Sequence, residues 1–486
     1  MIQLTVFVTG AVVMVLEVVG SRLLAPQVGT SIHVWTSLIG VILASMSAGY
    51  WYGGRLSDRS CTAGGLAKIL AIGGCSILIC FILSNLVRVL IFFVSTDLRI
   101  QAVVGASVLF AMPAFLLGII SPYAIRLRLE NLESSGATVG SMYAISTAGS
   151  ILGTFLGGFV LISLFGNGTI FFGMAGILFL LAFMNAMWVR AYPVAVFSIL
   201  GLGLVVYLTM NWKVSERALL VFETPYGSYR VVENKDNSGR LIRALQTYWH
   251  QAQSTVDAQE PEHVTYPPAI FIRDAYRDLG ISGKTLLIGG APFVVPRVVN
   301  SADSRNTFDI VEIDLDILPV AKEYFFFKES SAFQFFFEDG RTFLNRAHSL
   351  NLATYDVAIL DVYGASFNPP FQLVTKEAFS AIRSLMAKNG WLISNVYSAC
   401  TGEKASALRA ILKTVKTVFP NVAIFLDDPD HPENPQNIYM IASDREIPAR
   451  VGGKLRGETD GPGSEVILTD DLAPIDDYMK EMQIGY

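Results

Sequence analysis

Two rhythms divide this chain. Over roughly its first 210 residues, apolar runs of about 20 residues follow one another with few charges between them. From Trp212 onward the apolar runs shorten and charged residues reach an ordinary globular density. The long runs predict seven membrane-spanning helices: Leu4–Leu24, Trp35–Tyr52, Leu66–Leu86, Val103–Ile120, Val139–Phe165, Ile170–Val189 and Val194–Met210. The third has apolar sequence to continue through Ile91 to Val94. The first is not read as a cleavable signal, because it lacks a basic leading region and further spans follow it. Gly149, Gly153, Gly157 and Gly158 recur within the fifth span, where small residues let helix backbones approach closely and favour a packed bundle.

The second rhythm begins with β-rich sequence, Leu219 to Glu233, broken by the turn Thr224-Pro225-Tyr226-Gly227. After Gly283 strands and helices alternate. Strands are predicted at Thr285–Ile288, Phe308–Ile313, Val357–Leu360, Trp391–Val396, Val422–Leu426 and Ile438–Ala442, and helices at Ile317–Phe326, Thr375–Met386 and Lys404–Val418. Such alternation implies a parallel, doubly wound α/β sheet of the Rossmann-like, methyltransferase type. The expected organisation is a transmembrane helical domain at 1–211, a β-rich segment at 212–282 and the α/β domain at 283–486. No internal repeat stands out, and Gly452 to Gly463 reads as a flexible segment.

Composition sharpens the membrane reading. Hydrophobic residues make up 52% of the 486 positions, and a mean hydropathy of +0.47 is too apolar for an ordinary two-domain soluble enzyme. The net charge of −5 provides no basic footprint, so nucleic acid is excluded as a partner. The four cysteines form neither a disulfide framework nor a metal spacing. Orientation is nearly undetermined by charge. Arg55, Arg59, Lys68, Arg126, Arg128 and Arg190 fall on the side of the N-terminus, against Arg22, Arg88, Arg99, Lys213 and Arg217 on the other. Glu17 is the acidic residue well inside a span. It is a functional candidate by position, although pairing with a neighbouring helix explains it as well.

The chemistry concentrates between Val311 and Asp361. Val311-Glu312-Ile313-Asp314, Glu338-Asp339-Gly340-Arg341 and Asp356-Val357-Ala358-Ile359-Leu360-Asp361 each put an acid just after an apolar run. Ligands of open α/β sheets bind beyond the carboxyl ends of the strands, so Glu312, Asp339 and Asp361 are expected around one acidic crevice. Gly289 and Gly290 close the first strand, where a nucleotide-binding sheet needs a tight turn. Glu312, at the end of the next strand, is suited to accept hydrogen bonds from two ribose hydroxyls.

Together with Thr224-Pro225-Tyr226-Gly227, Leu373-Val374-Thr375-Lys376-Glu377-Ala378-Phe379, Leu468-Thr469-Asp470-Asp471-Leu472-Ala473-Pro474 and the N-terminal Arg22-Leu23-Leu24-Ala25-Pro26, these stretches resemble the membrane-fused branch of the spermidine synthases. The resemblance implies aminopropyl transfer from decarboxylated S-adenosylmethionine, a co-substrate and not a bound cofactor, to a polyamine, without a metal. It further implies that Glu312 holds the ribose, Asp339 the adenine amine with Gly340 beside it, and that Asp361 is the base. Gln253 and Tyr266 fall where the family has a nucleoside-contacting Gln and a pocket Tyr. Three departures stand beside the matches. Pro292, followed by Phe293, replaces the acid that pairs with the donor's ammonium. Gly364 replaces a second polyamine-holding Asp, and Pro267-Pro268 replaces a His-Glu pair. Tyr363, Asp427, Asp428 and Asp430 are the substitutes at hand, the acids reading equally as a solvated loop.

The expectation is therefore a multi-pass inner- or plasma-membrane protein whose second half binds an S-adenosylmethionine-type nucleoside and transfers an aminopropyl group with divergent specificity or reduced activity. Because the donor is made in the cytoplasm, that half is expected to face it, which puts the N-terminus outside. A non-catalytic nucleoside- or polyamine-binding regulator, or a transporter-like protein, is the alternative. A methyltransferase on the same fold is disfavoured by the altered glycine loop. Homo-oligomerisation is left open.

Overall fold

The computed structural model describes residues 1–28, 32–94, 98–129, 135–211, 218–236, 238–247, 252–347, 354–362, 369–461, 463 and 465–479. Tyr363, Gly364 and Trp212 lie outside the described residues. The chain forms two compact units, one of residues 1–216 and 223–225, the other of 217–222 and 226–486.

Among the described residues of the first unit, seven helices are long and apolar enough to cross a membrane, one for each predicted span. They run Ile2–Val28, Ile32–Arg59, Ala63–Val94, Leu98–Arg128, Ser135–Phe155 with its extension to Leu164, Asn167–Trp188 and Tyr192–Asn211. Glycines set the closest approaches. A β-carbon on Gly149 would overlap the carbonyl of Phe7, and one on Gly153 the backbone of Ala11, so the first and fifth helices touch main chain to main chain. Gly157 and Gly158 do not share this role. They fall in a π-helical turn, Leu156–Leu161, where a wider ring interrupts the α-helix. Glu17 is half-buried in the first helix.

The second unit contains two sheets. β1 (Ala218–Thr224), β2 (Gly227–Lys235), β3 (Leu241–Thr247) and β4 (Ala252–Asp257) form a four-stranded sheet in that order. β5 (Lys284–Gly289), β6 (Thr307–Glu312), β7 (Phe333–Phe337), β8 (Tyr355–Asp361), β9 (Met386–Ser398), β10 (Asn421–Leu426), β11 (Gln436–Ser443), β12 (Arg450–Val451) and β13 (Lys454–Gly457) form a nine-stranded sheet ordered β12-β13-β10-β11-β9-β8-β5-β6-β7. The strands alternate their side chains between two apolar layers. Leu286, Ile288, Ala358, Leu360 and Leu392 pack on one face with Phe343, Phe379 and Leu408 of the helices Gly340–Ala347, Lys376–Leu385 and Ser406–Val415. Leu287, Val357, Ile359, Trp391 and Ile393 pack on the other with Phe271, Val298 and Val320 of Pro267–Asp278, Val294–Ala302 and Ile317–Tyr324. Burial on both faces is why these strands read as unbroken apolar runs.

The sheet is not wholly parallel as expected. β7, β6, β5, β8 and β9 pair in parallel, but β11 is inserted antiparallel between β9 and β10. The physical reason lies in the 427–435 connection, which is too short for a crossover that needs about a dozen residues or more. A second correction concerns Gly452 to Gly463. Its start is ordered as the β12–β13 hairpin, in which Gly452 and Gly453 take φ of +59° and +74°, the left-handed values that a two-residue turn of this hand requires.

Candidate functional site

The chain leaves β5 in one direction to build β6 and β7, then returns to its other side for β8 and β9. Beyond the carboxyl ends of β5 and β8 the chain runs to helices on opposite faces of the sheet, Val294–Ala302 and Lys376–Leu385, which opens a crevice at the switch point. Gly289 pairs with Asp361 across it. Gly289 and Gly290 take φ of +80° and +84°. A β-carbon at Gly289 would collide with the Asp361 carbonyl, which accepts a hydrogen bond from the Gly290 N–H at 3.0 Å. This pair of glycines thus turns the backbone sharply and sets Asp361 against the end of β5.

A cavity of about 510 Å³ lies here, and it is lined by the expected catalytic and nucleoside-contacting residues Gly289, Gly290, Glu312, Asp339, Gly340, Asp361, Gln253 and Tyr266. Glu312 ends β6 and is 7% exposed. Burial pushes its carboxyl up to about 7, the charges of Asp314 and Asp361 adding to the shift and the N–H groups of Asp314 and Ile313 opposing it. The Asp314 N–H donates to Glu312 Oε1 at 3.1 Å. Asp339 accepts the Thr342 N–H at 2.9 Å, capping the helix that starts at Gly340. Gly340 is required there because a β-carbon would press on Ile288 at 2.7 Å.

Asp361 is partly exposed to the cavity. Its carboxyl is raised above the ordinary aspartate value by desolvation, with a hydrogen bond from Asn395 Nδ2 at 3.3 Å pulling the other way. Tyr266 precedes the helix Pro267–Asp278, whose first turn the two prolines begin. Burial and then the nearby Asp361 charge raise its phenol well above the usual value, so it remains protonated. Tyr229, on β2, is raised by burial and by Asp314, to which it hydrogen-bonds.

The residues of the departures lie elsewhere. Phe293 is fully buried and packs on Phe327 and Phe335 with ring centroids 5.4 and 5.1 Å away, and neither it nor Pro292 lines the cavity. Asp427 pairs with Lys454 Nζ at 2.8 Å, and Asp428 with His431 Nδ1 at 2.9 Å, so these acids serve their own loop and do not line the cleft. Sequence reading missed Asn395, Tyr397 and Asn437, which line the cavity from β9 and β11, and Tyr226, Tyr229 and Thr247 from the small sheet. Asn395 carried a signal, as an amide inside the apolar run Trp391–Val396. Among the described residues no Lys or Arg lines the cavity, and no group of three or more His, Cys, Asp or Glu is arranged to hold a metal ion.

Strand order, the inverted β11 and an acidic crevice at the switch point define a methyltransferase-like domain that follows a set of long apolar helices. Comparison with known proteins makes the class specific: residues 281–446 match the spermine/spermidine synthase domain. A region that matches the spermine/spermidine synthase domain thus follows an N-terminal helical region in this chain. Among curated proteins, the polyamine aminopropyltransferase of Vibrio vulnificus is 30% identical over 115 residues, 24% of this chain and 38% of that relative. The match thus spans well under half the relative's length. Among solved structures, a probable spermidine synthase from Corynebacterium glutamicum is similar with 18% identity and a TM-score of 0.41, covering 47% of this chain and 81% of the other. The spermidine synthase of Thermotoga maritima is similar with 18% identity and a TM-score of 0.35, covering 48% and 74%.

Proposed function

We propose that the α/β unit binds a sulfonium nucleoside of the decarboxylated S-adenosylmethionine type and transfers its aminopropyl group to an amine, with the preceding seven helices holding the protein in a lipid bilayer. The observation that carries this reading is the convergence of Glu312, Asp339 and Asp361 on one cleft whose described lining holds no basic side chain. Such a cleft attracts a cationic donor and offers no counter-charge to a carboxylate or phosphate. In this reading Glu312 accepts the ribose hydroxyls, Asp339 the adenine amine, and Gln253, Gly289, Gly290 and Gly340 shape the nucleoside's seat. Asp361 takes the proton from the attacking nitrogen as Tyr266 flanks it. The division into 1–211, 212–282 and 283–486 follows as the proposed domain scheme.

Calorimetry on the detergent-solubilised full chain tests the reading. Decarboxylated S-adenosylmethionine and methylthioadenosine should bind, and S-adenosylmethionine, whose carboxylate finds no counter-charge, at least about tenfold more weakly. Tighter binding of S-adenosylmethionine would turn the assignment toward methyl transfer. A second reading, a nucleoside sensor without turnover, is favoured by one observation: Phe293 packs into the core and the 289–293 turn supplies no acid for the donor's ammonium. Nucleoside binding without methylthioadenosine release from any amine would select it.

Donor supply argues that the α/β unit faces the cytoplasm. Single cysteines at Ser60 and Ser331, both exposed, would report this in a cysteine-free background. An impermeant maleimide applied to intact cells should label the first and spare the second, and the reverse pattern would place the α/β unit outside.

A further inference from the structure

Asp361 stands between two unlike walls. On its β6 and β7 side are Glu312 and Asp339, and on its β9 and β11 side are Asn395, Tyr397 and Asn437. Asn437 lies opposite Tyr397 in the β9–β11 register, so this second wall is a continuous surface of amides and a phenol. It contains no carboxylate beyond Asp361 itself among the described lining residues. Asp427, which directly follows β10, is taken up by Lys454 at 2.8 Å and by the Tyr439 hydroxyl at 3.3 Å.

Asn395 adds an independent observation. It lines the cavity and is 6% exposed, its Nδ2 donates to Asp361, and its buried Oδ1 has no hydrogen-bond partner within the protein. A buried acceptor that the protein leaves unmatched takes its donor from outside the fold, from water or from a ligand.

Resting on the transferase reading above, we propose that this wall selects an acceptor with a single amine and no second cationic group, its nitrogen held between Asp361 and the Asn395 Oδ1. An alkylammonium entering the cleft gives one proton to the Asp361 carboxylate and donates an N–H to Asn395. The freed lone pair then forms the new N–C bond to the donor's propyl carbon while the C–S pair returns to sulfur, leaving neutral methylthioadenosine. Charge agrees with this choice. Beyond Asp361 the described residues of the second wall are neutral. A diamine would bury its second cation against these neutral groups, which is costly for an unpaired charge.

The test compares butylamine with 1,4-diaminobutane, equal in chain length, as acceptors for the full chain with decarboxylated S-adenosylmethionine, following methylthioadenosine release. Butylamine should show a kcat/KM about tenfold or more above that of the diamine, and a ratio of one or less overturns the proposal. Asn437→Asp, which puts a carboxylate on the neutral wall, should lift the diamine's kcat/KM about tenfold. No gain would count against the wall as the selector. Asn395→Leu should lower kcat with butylamine about tenfold at unchanged methylthioadenosine affinity, whereas an equal loss of that affinity would make Asn395 merely structural. If methylthioadenosine binds but neither amine reacts, the acceptor assignment is lost and the nucleoside reading stands. Should methylthioadenosine itself fail to bind, both are lost.

Discussion

The two walls of the cleft lie along one edge of the sheet, at the carboxyl ends of β6, β7 and β9 and the amino end of the antiparallel β11, yet one is anionic and the other neutral. β6 and the turn after β7 present Glu312 and Asp339, whereas β9 and β11 present Asn395, Tyr397 and Asn437. A nucleoside needs acceptors for its hydroxyl and amine hydrogens, and the first wall has them. The second can hydrogen-bond an acceptor but cannot neutralise a remote charge on it. Asp361 sits where the walls meet, and its surroundings suit a proton acceptor: desolvation raises its carboxyl, making it a stronger base, while Asn395 keeps it oriented.

Breaking the junction should have the largest effect. Asp361→Asn removes the proton acceptor and preserves the size of the side chain, so methylthioadenosine release should fall by about 10²- to 10⁴-fold. Nucleoside affinity should stay within about threefold, because the ribose and adenine contacts belong to the other wall. Parallel measurement of initial rates and calorimetric Kd decides the matter, and an equal loss in both would place Asp361 in the nucleoside seat instead.

Changing the anionic wall alone should give the next largest effect, and in the opposite observable. Glu312→Gln replaces charge-assisted acceptance of ribose hydroxyls by an amide, a loss of roughly 10- to 100-fold in methylthioadenosine affinity. A 2′,3′-dideoxy nucleoside on the unaltered protein should reproduce most of that loss. If removing the hydroxyls costs nothing, Glu312 does not read the ribose.

The anionic wall was legible in the sequence and the neutral one was not, for a physical reason. An acid that ends a strand buried on both faces conflicts with its surroundings, so Glu312 and Asp361 stand out from the apolar Ile310-Val311 and Val357-Ala358-Ile359-Leu360 that precede them. Asparagine and tyrosine at a strand end raise no such conflict, and only the Asn437–Tyr397 register makes a wall of them. The same contrast holds for the fold. Seven helices were readable because about 20 uncharged residues are hard to accommodate otherwise. The direction of β11 depends on a short connection that hydrophobic periodicity does not see, and the β12–β13 hairpin hid in a glycine-rich stretch that resembles a linker. The edge strand β7, Phe-Gln-Phe-Phe-Phe, announced itself mainly through the acids that follow it.

The smallest expected effect comes from pH, and it separates the walls without a mutation. The Glu312 carboxyl is held near 7 by burial, so at pH 6 most of it is protonated and at pH 8 most is ionised. Ribose hydroxyls donate to the ionised form, and binding therefore lowers the carboxyl's pKa and releases a proton. Affinity for methylthioadenosine should accordingly rise with pH, by about tenfold between pH 6 and pH 8 if the bound group remains ionised throughout. Calorimetry in buffers of different ionisation enthalpy would detect the released proton directly. In Glu312→Gln both the slope and the proton release should vanish, leaving a weak affinity that is flat with pH. A slope that persists in that variant would assign the titration to Asp361 and make the junction, and not the anionic wall, the pH-sensitive part of the nucleoside seat.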